Sequence, residues 1–486
     1  MRKCFSQQQV LGITSISEVV IPKNSRHELA PVLAALQHIF VSPELNERVF
    51  ALIGPKIRRN KQETGRTGMD MWEILVLAVV RLTLNINYDA LHHFSNFDKL
   101  IRQIIGVENR LNEGKTYGLQ TLKDNVSLLD EETVNQVNTM VVEAAHQFVL
   151  KKNETLRIKS DTYVFETNVH FPTDLNLLWD ACRKGIDTME YCQEHYGLKG
   201  WRKSKVWRSS LKSSLRSTGK ACVSTSKHKA NSIIAQVGEY LRLARELDQK
   251  IAESCLELYN SAAFEIKLWA LLQALSYYQE MIKKHIDLIE RRLLKGETIP
   301  SAEKLFSIFE PHTEWISKGK QNKKVELGHK VLIATDQHHF ILHHQVIEGM
   351  ADATLTIPLA DALLSKYKNI DSLSLDKGFY SKENKDLLSL EIPNLVMPKK
   401  GKLNAGEKEE ESQKTFKKLR NLHSAVESNI NQLEHNGLDR CPDKGLKNYK
   451  RYVSLGILSY NLHRLGKILL ADMAKQALKQ ALQQAA

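Results

Sequence analysis

The segment "KSDTYVFETNVH", residues 159–170, combines the pattern of a buried strand with an acidic residue. Its run Thr162–Phe165 is β-branched and aromatic, which is typical of a strand inside a sheet. Asp161 directly precedes this run, although aspartate is depleted in strands and is costly to bury without a partner. Two interpretations follow from the spacing. Asp161 either begins an exposed edge strand, or it is held there as a ligand.

Helical patterns precede this strand. Apolar residues recur at helical spacing between residues 27 and 150, in particular over 69–94 and 130–152, where Asp130 is the expected N-cap. After the strand, a helix is expected to begin at Thr173 or Asp174. The apolar pattern over 229–296 is too long for one ordinary globular helix, so a helical hairpin is predicted.

From residue 325 the pattern returns to strands. Two strand-like runs flank the turn Asp336-Gln337, and a helix follows over 352–367. A further strand ends at Asp376-Lys377-Gly378, and then come a short helix and a strand near 394–400. We predict a charged loop over 400–415, a helix over 414–435 and a final helix over 449–482 with a frayed tail. The order predicts an α/β fold with a mixed sheet and a long helical insertion.

The net charge of +13 favours a polyanionic partner. Ten basic residues and no acid lie between Lys199 and Lys229, together with Trp201 and Trp207. This segment is either a solvated basic loop or a surface that contacts phosphates. In the second case, binding should weaken steeply as salt is added.

The other bulk features exclude several classes of protein. The six cysteines are scattered without a CxxC pair, which argues against a disulfide framework and a zinc knuckle and fits a reducing compartment. The most apolar stretch, residues 72–84, is too short to span a bilayer. The N-terminus lacks the apolar core of a secretory signal, so a soluble, cytoplasmic protein is predicted.

Three carboxylates suggest a chemistry. Asp161 lies on the first strand, Asp376 at the end of a later strand, and Glu427 in the helix near 414–435. Such a set could hold two Mg²⁺ ions for phosphodiester chemistry, because Mg²⁺ prefers oxygen ligands. The alternatives stay open on spacing alone. Asp376 could be a turn aspartate and Glu427 a solvated helix residue, while Asp336 is expected to be structural at its turn.

Five segments, in this order, resemble bacterial insertion-sequence DDE transposases, especially the loosely classified group labelled ISNCY. They are "GRTGMDMWEILVLAVVRLTLNINYDALHHFS" (65–95), "SDTYVFETNVHFPTDLNLLWD" (160–180), "FEPHTEWISKGKQNKKVELGHKVLIATD" (309–336), "LSLDKGFYSKENKDLL" (373–388) and "RNLHSAVESNINQLEHNGLDRCPDKG" (420–445). The second, fourth and fifth look like the motifs that carry the family's two aspartates and its glutamate. The ordered occurrence of all five is far more specific than any single motif.

The resemblance implies a ribonuclease-H-like catalytic core over 151–184 and 316–470. It also implies an N-terminal helical DNA-binding domain (1–150), an insertion over 185–315 that holds the basic segment and the hairpin, and a C-terminal tail (471–486). The implied reaction is Mg²⁺-dependent cleavage at the ends of a DNA element and strand transfer into target DNA, with Mn²⁺ able to replace Mg²⁺. The implied partners are double-stranded DNA with terminal inverted repeats and a second copy of the chain, with no membrane.

Asp161, Asp376 and Glu427 become the expected catalytic and metal-binding triad on this basis. The residues expected to contact DNA are Arg202, Lys203, Lys205, Arg208, Lys318, Lys320, Lys330, Arg420 and His423. Related enzymes often carry Tyr and Arg seven and four residues before the glutamate and Lys seven after it. Here Arg420, His423 and Glu434 stand at those positions, and Glu434 cannot contact phosphate as a lysine would.

Two alternatives to an active transposase remain at the level of the sequence. One is a DNA-binding descendant that has lost cleavage, against which the intact set of three acids argues. The other is a metal-dependent nuclease that hydrolyses DNA without strand transfer. The sequence alone does not separate this nuclease from a transposase.

Overall fold

A mixed β-sheet carries Asp161 near its centre in the computed structural model, which describes residues 3–5, 11–23, 25–58, 68–111, 114–261, 265–317 and 324–485. The strands are β1 (Leu156–Thr167), β2 (Glu314–Ser317), β3 (Val325–Thr335), β4 (Ile341–Ile347), β5 (Ile370–Leu375), β6 (Asn394–Val396) and β7 (Arg440–Cys441). The central order is β3-β1-β5-β6, with β4 beside β3 and β7 beside β1. β1 is antiparallel to β3 and parallel to β5, so the sheet is mixed as predicted.

Helices precede, interrupt and follow this sheet. Before β1 lie α1 (Leu29–Val41), α2 (Pro43–Arg58), α3 (Met71–Thr83), α4 (Tyr88–Phe97), α5 (Lys99–Ile104), α6 (Leu119–Val126) and α7 (Glu131–Val149). Between β1 and β2 lie α8 (Asp174–Tyr196), α9 (Ser204–Val223), α10 (Lys229–Ser261) and α11 (Ile266–Ile289). After β4 lie α12 (Asp352–Lys366), α13 (Lys382–Leu388), α14 (Ala405–Ser412), α15 (Lys414–Leu422), α16 (Ala425–Leu433) and α17 (Leu446–Ala485).

The chain divides into two compact units. Unit 1 comprises residues 1–168 and 316–486, and unit 2 comprises residues 169–315. The first boundary therefore falls just after β1, and not at 184/185 as the sequence suggested. The N-terminal helices belong to the same unit as the sheet, and they do not form a separate unit over 1–150.

The C-terminal helix α17 explains why the N-terminal helices and the sheet share one core. Its residues Tyr449–Leu465 are mostly buried and pack against α1, α3 and α7. Gly466 permits the close approach of α1, because a Cβ at this position would lie 1.7 Å from the Pro31 carbonyl oxygen. On α3, the buried Arg81 guanidinium donates to both carboxylate oxygens of Asp443, at 3.0 and 2.6 Å. This bidentate pair joins two segments that are far apart in sequence.

A buried amide pair also fixes α17 to the sheet. Asn461 Nδ2 donates to Asn138 Oδ1 (2.8 Å) and to the Ile341 carbonyl (2.9 Å), and Asn461 Oδ1 accepts from the Ile341 N–H (3.0 Å). Because buried polar groups are costly when unpaired, these bonds stabilise one register of α17 against α7 and β4.

Unit 2 is a helical assembly built around the predicted hairpin, α10 and α11. Trp201 and Tyr240 are fully buried in its core. The Trp201 indole N–H donates to Ser254 Oγ (2.9 Å), and the Tyr240 hydroxyl donates to the Leu175 carbonyl (3.1 Å). Thr173 is the N-cap of α8, because its hydroxyl accepts from the Asn176 N–H.

Two local expectations were wrong, those for the charged segment and for the helix over 414–435. The helical pattern over 69–94 forms two helices, because it breaks at Asn85, which has a positive φ, and resumes at α4 after the N-cap Asn87. The charged segment expected to be a loop contains α14, which begins with a capping box between Asn404 and Glu407. The helix expected over 414–435 is two helices, α15 and α16, that are separated near His423. The tail is helical to Ala485. Across the part of the chain that the structure describes, no helix is both long and apolar enough to cross a bilayer.

Candidate active site

Asp161 lies inside β1 and not at its start. It is opposite Ile333 of antiparallel β3, and its neighbour Ser160 pairs with Leu375 of parallel β5. The interpretation of Asp161 as the start of an exposed edge strand is therefore wrong. A carboxylate on a strand that is paired on both sides is held in a fixed place by the sheet.

Asp376 directly follows β5, so the sheet register brings it next to Asp161. Adjacent strands lie about 4.8 Å apart, and Ser160 pairs with Leu375, the residue before Asp376. The loop that follows is held by α12, because Thr356 Oγ1 donates to the Phe379 carbonyl (3.0 Å). The carboxylate of Asp376 itself is exposed.

Glu427 lies in the first turn of α16, which packs against β1 through buried residues such as Val426 and Ile430. The helix is also fixed by Asn429, whose Oδ1 accepts from the Tyr460 hydroxyl (3.3 Å) and lies 3.0 Å from His339 Nδ1. Glu427 is exposed at the start of this anchored helix. Two strands and one helix thus hold the three acids predicted from the sequence.

The other two acids act electrostatically on Asp161. Burial raises the pKa of Asp161 to about 6, against a hydrogen bond from the Thr162 N–H that lowers it. The negative charges of Asp376 and Glu427 also raise the pKa of Asp161. Asp376 and Glu427 therefore lie within electrostatic reach of Asp161, in an arrangement that a bound cation would stabilise.

The donor chemistry of this set fits a hard divalent cation, because all three side chains offer carboxylate oxygens. In the described residues, no group of three or more His, Cys, Asp or Glu side chains is already spaced to hold a metal ion. The fit of these residues to a metal ion therefore depends on their carboxylate oxygens and on the negative charges that raise the pKa of Asp161, and not on a formed coordination shell.

His423 lies beside β5 and within electrostatic reach of Asp376 and Glu427. Its Nδ1 is 3.0 Å from Ser374 Oγ on β5. Burial lowers the pKa of His423, against the charges of Asp376 and Glu427, which raise it. Its Nε2 is buried and, among the described residues, has no hydrogen-bond partner. An imidazole with an unused polar atom near Asp376 and Glu427 can bind a group that enters the site.

Asp352 is a fourth acid near the site, and the sequence analysis missed it. It is the first residue of α12, and its charge contributes to the raised pKa of Asp161. Asp352 Oδ1 accepts from Lys330 Nζ at 2.8 Å. A Cβ at Gly378 would lie 2.9 Å from Asp352 Oδ2, so a glycine lets the Asp376 loop approach this carboxylate. In the sequence, Asp352 resembles an ordinary acid at a helix N-terminus, which gave no signal of this position.

The other basic residues predicted in unit 1 differ in their availability. Lys330 is paired with Asp352, while Arg420 is exposed and lies 3.5 Å from Glu411. Lys318 and Lys320 lie outside the described residues.

In unit 2, the basic segment forms α9 and does not form a loop. Arg208 is paired with Asp187 and Glu190 of α8. Arg202, Lys203 and Lys205 are exposed and make no ion pair within the described part of the chain.

Exposed cations form a stripe along one side of α9, which we call the α9 stripe. Its members are Lys205, Lys212, Arg216 and Lys220. Spacings of seven, four and four residues keep their side chains within roughly 80° around the helix axis and spread them over roughly 22 Å. The buried residues Leu211 and Thr218 lie on the opposite side. No acid of the described residues pairs with the stripe.

Residues 297–462, about a third of the chain, match the model of a protein family described as "Transposase DDE domain". Asp376 and Glu427 lie inside the matched segment, and Asp161 precedes it. No curated protein and no solved structure is significantly similar to the chain. The matched segment is thus similar to transposase DDE domains, which supports a transposase that acts on DNA.

Proposed function

We propose that the protein is an active DDE transposase in which Asp161, Asp376 and Glu427 bind divalent metal and carry catalysis. The observation that supports this most directly is the register of β1 with β5, which brings Asp161 and Asp376 together. The electrostatic effect of Glu427 and Asp376 on Asp161 adds a third acid to the same place. The family match supplies the class of substrate, which is DNA.

The chain's own residues have separate parts in this proposal. Asp161 and Asp376 provide carboxylates from a rigid sheet, and Glu427 provides one from a helix anchored by Asn429. These three carboxylates would hold two Mg²⁺ ions, or Mn²⁺ in their place, which would supply charge stabilisation for the attacking and leaving oxygens of the phosphodiester. His423 contacts a phosphate oxygen through its unused Nε2, and the exposed Arg420 holds the backbone nearby.

Further DNA contacts are proposed on unit 2. Arg202, Lys203 and Lys205 begin the exposed basic surface that the α9 stripe continues. Phosphate contacts of this kind position a duplex without reading its sequence. Arg208 stabilises α8 against α9, and Lys330 holds Asp352, so we give both residues a structural part besides any contact with DNA.

The finer features of the proposal follow the resemblance to the ISNCY group of bacterial elements. They are a ribonuclease-H-like core, terminal inverted repeats as the specific DNA, strand transfer after cleavage, and a homodimer as the working unit. The site of action would be the cytoplasm, on nucleoid DNA.

The test uses the purified full chain with a labelled duplex that carries the end of its own element. Strand cleavage with Mg²⁺ and without it is compared among the wild type, Asp161→Asn, Asp376→Asn and Glu427→Gln. We expect each substitution to lower metal-dependent cleavage by about 10³-fold or more, because all three acids act as one unit. Asp361→Asn, an exposed position on α12, is the matched control and should cut like the wild type.

Three outcomes would redirect the assignment. Tight binding without cleavage by the wild type would favour the DNA-binding descendant. Cleavage without joined products in the presence of target DNA would favour the nuclease. Cleavage that survives all three triad substitutions would show that these acids are not the catalytic set.

A further inference from the structure

The C-terminal part of α17 is an amphipathic helix that the single chain leaves uncovered. Side chains from residue 473 to 483 are exposed, including Met473, Leu478 and Leu482, the last two at 63% each. The apolar residues of this segment are Met473, Ala474, Ala477, Leu478, Ala481 and Leu482, and they share one half of the helix surface. The polar half carries Lys475, Lys479 and glutamines. A helix of this length is only marginally stable in water by itself, so such a clean apolar half indicates a covering surface.

The hairpin tip of unit 2 offers an apolar groove. It has a volume of about 500 Å³ and lies between α10 and α11, where Cys255, Leu256 and Tyr259 face Leu272. Leu256 and Tyr259 are exposed at 64% and 63%. Tyr259 also has a ring contact with Trp269, at a centroid distance of 5.9 Å, which shapes one wall of the groove. Scattered surface leucines need no explanation, but a continuous apolar groove at the end of a hairpin does.

The charge of the hairpin tip indicates the kind of partner. Residues 252–280 contain four acids, Glu253, Glu257, Glu265 and Glu280, and a single cation, Lys267. The tip is therefore acidic in a chain whose net charge is +13. An acidic rim repels DNA and favours a basic helix with an apolar face. The C-terminal segment of α17 has this character, with Lys475 and Lys479 beside Leu478 and Leu482.

We infer that the C-terminal segment of α17 from one copy docks in the groove at the hairpin tip of a second copy. Both surfaces are exposed within one chain, so a second copy supplies the cover that each lacks. The docking mode is a helix laid into an apolar groove, with anchors four residues apart at Leu478 and Leu482. This contact goes beyond the proposed chemistry and does not depend on it.

The experiment is a cross-linking assay with two differently tagged chains. Both chains carry Cys255→Ser, which removes the native thiol of the groove. One chain also carries Leu256→Cys in the groove, the other carries Leu478→Cys on the apolar half of α17, and the two are mixed before a mild oxidant is added. We expect a disulfide between the two tags that forms only in the mixture. The matched control replaces Leu478→Cys with Gln480→Cys on the polar half and should give at least about tenfold less product. The wild type, with its six native cysteines, gives the background.

Other cross-linking patterns would overturn the inference. A disulfide between two Leu478→Cys chains that also carry Cys255→Ser would show that the helices pair with each other. A chain that carries both substitutions and closes only on itself would show that the groove is filled by its own helix. No product above the background would show that the two surfaces do not meet.

A second measurement separates docking from misfolding. Sedimentation at several protein concentrations should show about tenfold weaker dimerisation for the pair Leu478→Lys and Leu482→Lys than for Gln480→Lys and Gln483→Lys. Both pairs add the same charge to an exposed helix, so equal dimerisation would contradict the docking. Neither assay needs metal or DNA. Failure here therefore leaves the proposed catalytic chemistry standing, and failure of cleavage leaves the docking standing.

Discussion

At the scale of single residues, the position of Asp161 disfavours its charged carboxylate, and a bound metal ion would remove this electrostatic cost. Its folded state is less favourable when the carboxylate is charged, because burial and the neighbouring acids raise its pKa to about 6. Acids gathered in one place commonly repel one another, and a bound cation removes this repulsion. The pairing of β1 with β3 and β5 holds Asp161 in place despite this electrostatic cost.

The first prediction concerns the stability of Asp161→Asn in the absence of metal. The pKa of Asp161 is about 6 in the folded state and 3.8 in the reference state, so the wild type gains stability as pH falls through 6 towards 4. The asparagine variant lacks this gain. At pH 8 with EDTA, its free energy of unfolding should exceed that of the wild type by about 1–3 kcal/mol, and the difference should vanish near pH 4.

Urea denaturation at both pH values measures this difference. Added Mg²⁺ should raise the stability of the wild type and leave the variant nearly unchanged. A variant that is less stable than the wild type at pH 8 would mean that Asp161 has a structural part and is not a metal ligand.

A second prediction concerns the Asp352–Lys330 pair. The pair holds the N-terminus of α12 beside the Asp376 loop, so breaking it should disturb the position of Asp376. We expect Asp352→Asn and Lys330→Gln each to lower cleavage about tenfold. The double variant should cleave no more slowly than the less active single variant, since both changes remove the same interaction. The measurement is a double-mutant cycle on cleavage rates, with Asp361→Asn as the control on the same helix. Losses that add would show that the two residues act separately.

At the scale of elements, α9 shows what a count of charges leaves undecided. Two interpretations of the basic segment were open from the sequence, a solvated loop or a phosphate surface. The helix orders four of the cations into the α9 stripe, and Arg208 turns to the acids of α8. A stripe of unpaired cations on one side of a helix favours the phosphate surface over the solvated loop.

The third prediction tests this stripe. Replacing Lys212, Arg216 and Lys220 with glutamine should weaken binding to any duplex and reduce the slope of log affinity against log salt by about 3, close to one unit for each lost phosphate contact. Lys283→Gln, an exposed position on α11 of the same unit, is the control for loss of charge. Arg208→Gln should lower stability and leave the salt slope nearly unchanged. An unaltered slope in the triple variant would remove α9 from the DNA-binding surface.

The helices and strands also show which local features could be predicted from the sequence and which could not. The strand around Asp161, the N-caps Asp130 and Thr173, and the hairpin of α10 and α11 were predicted, because each has a strong local signal. Helix α14 was missed because its run of glutamates was treated as a loop, although Glu and Lys are good helix formers. The break between α15 and α16 has neither Pro nor Gly to announce it, so it could not be predicted from local pattern.

At the scale of the whole molecule, the limits are set by long-range contacts. The order of elements predicted a mixed sheet with a helical insertion, because alternation of strands and helices is readable along the chain. The boundary between unit 1 and unit 2 after residue 168 could not be predicted from the sequence. The sequence also did not predict that the N-terminal helices and the sheet share one unit, because this depends on contacts such as Arg81 with Asp443. The Asp161–Asp376 neighbourhood was expected from the motifs, whereas Asp352 and Ser374 enter the site only through folding.

The last prediction assigns different ligands to the two units, and hydrogen exchange read by mass spectrometry tests it. All proposed metal ligands lie in unit 1, so Mg²⁺ alone should slow exchange in the Asp376–Tyr380 loop and around His423–Glu427 and leave α9 unchanged. DNA without metal should slow exchange in α9, because bound phosphates stabilise its exposed cationic side. Asp161→Asn should lose the first effect and keep the second. If Mg²⁺ alone protected α9, or if Asp161→Asn lost both effects, the metal site and the α9 stripe would not be separate binding surfaces, and this prediction would be wrong.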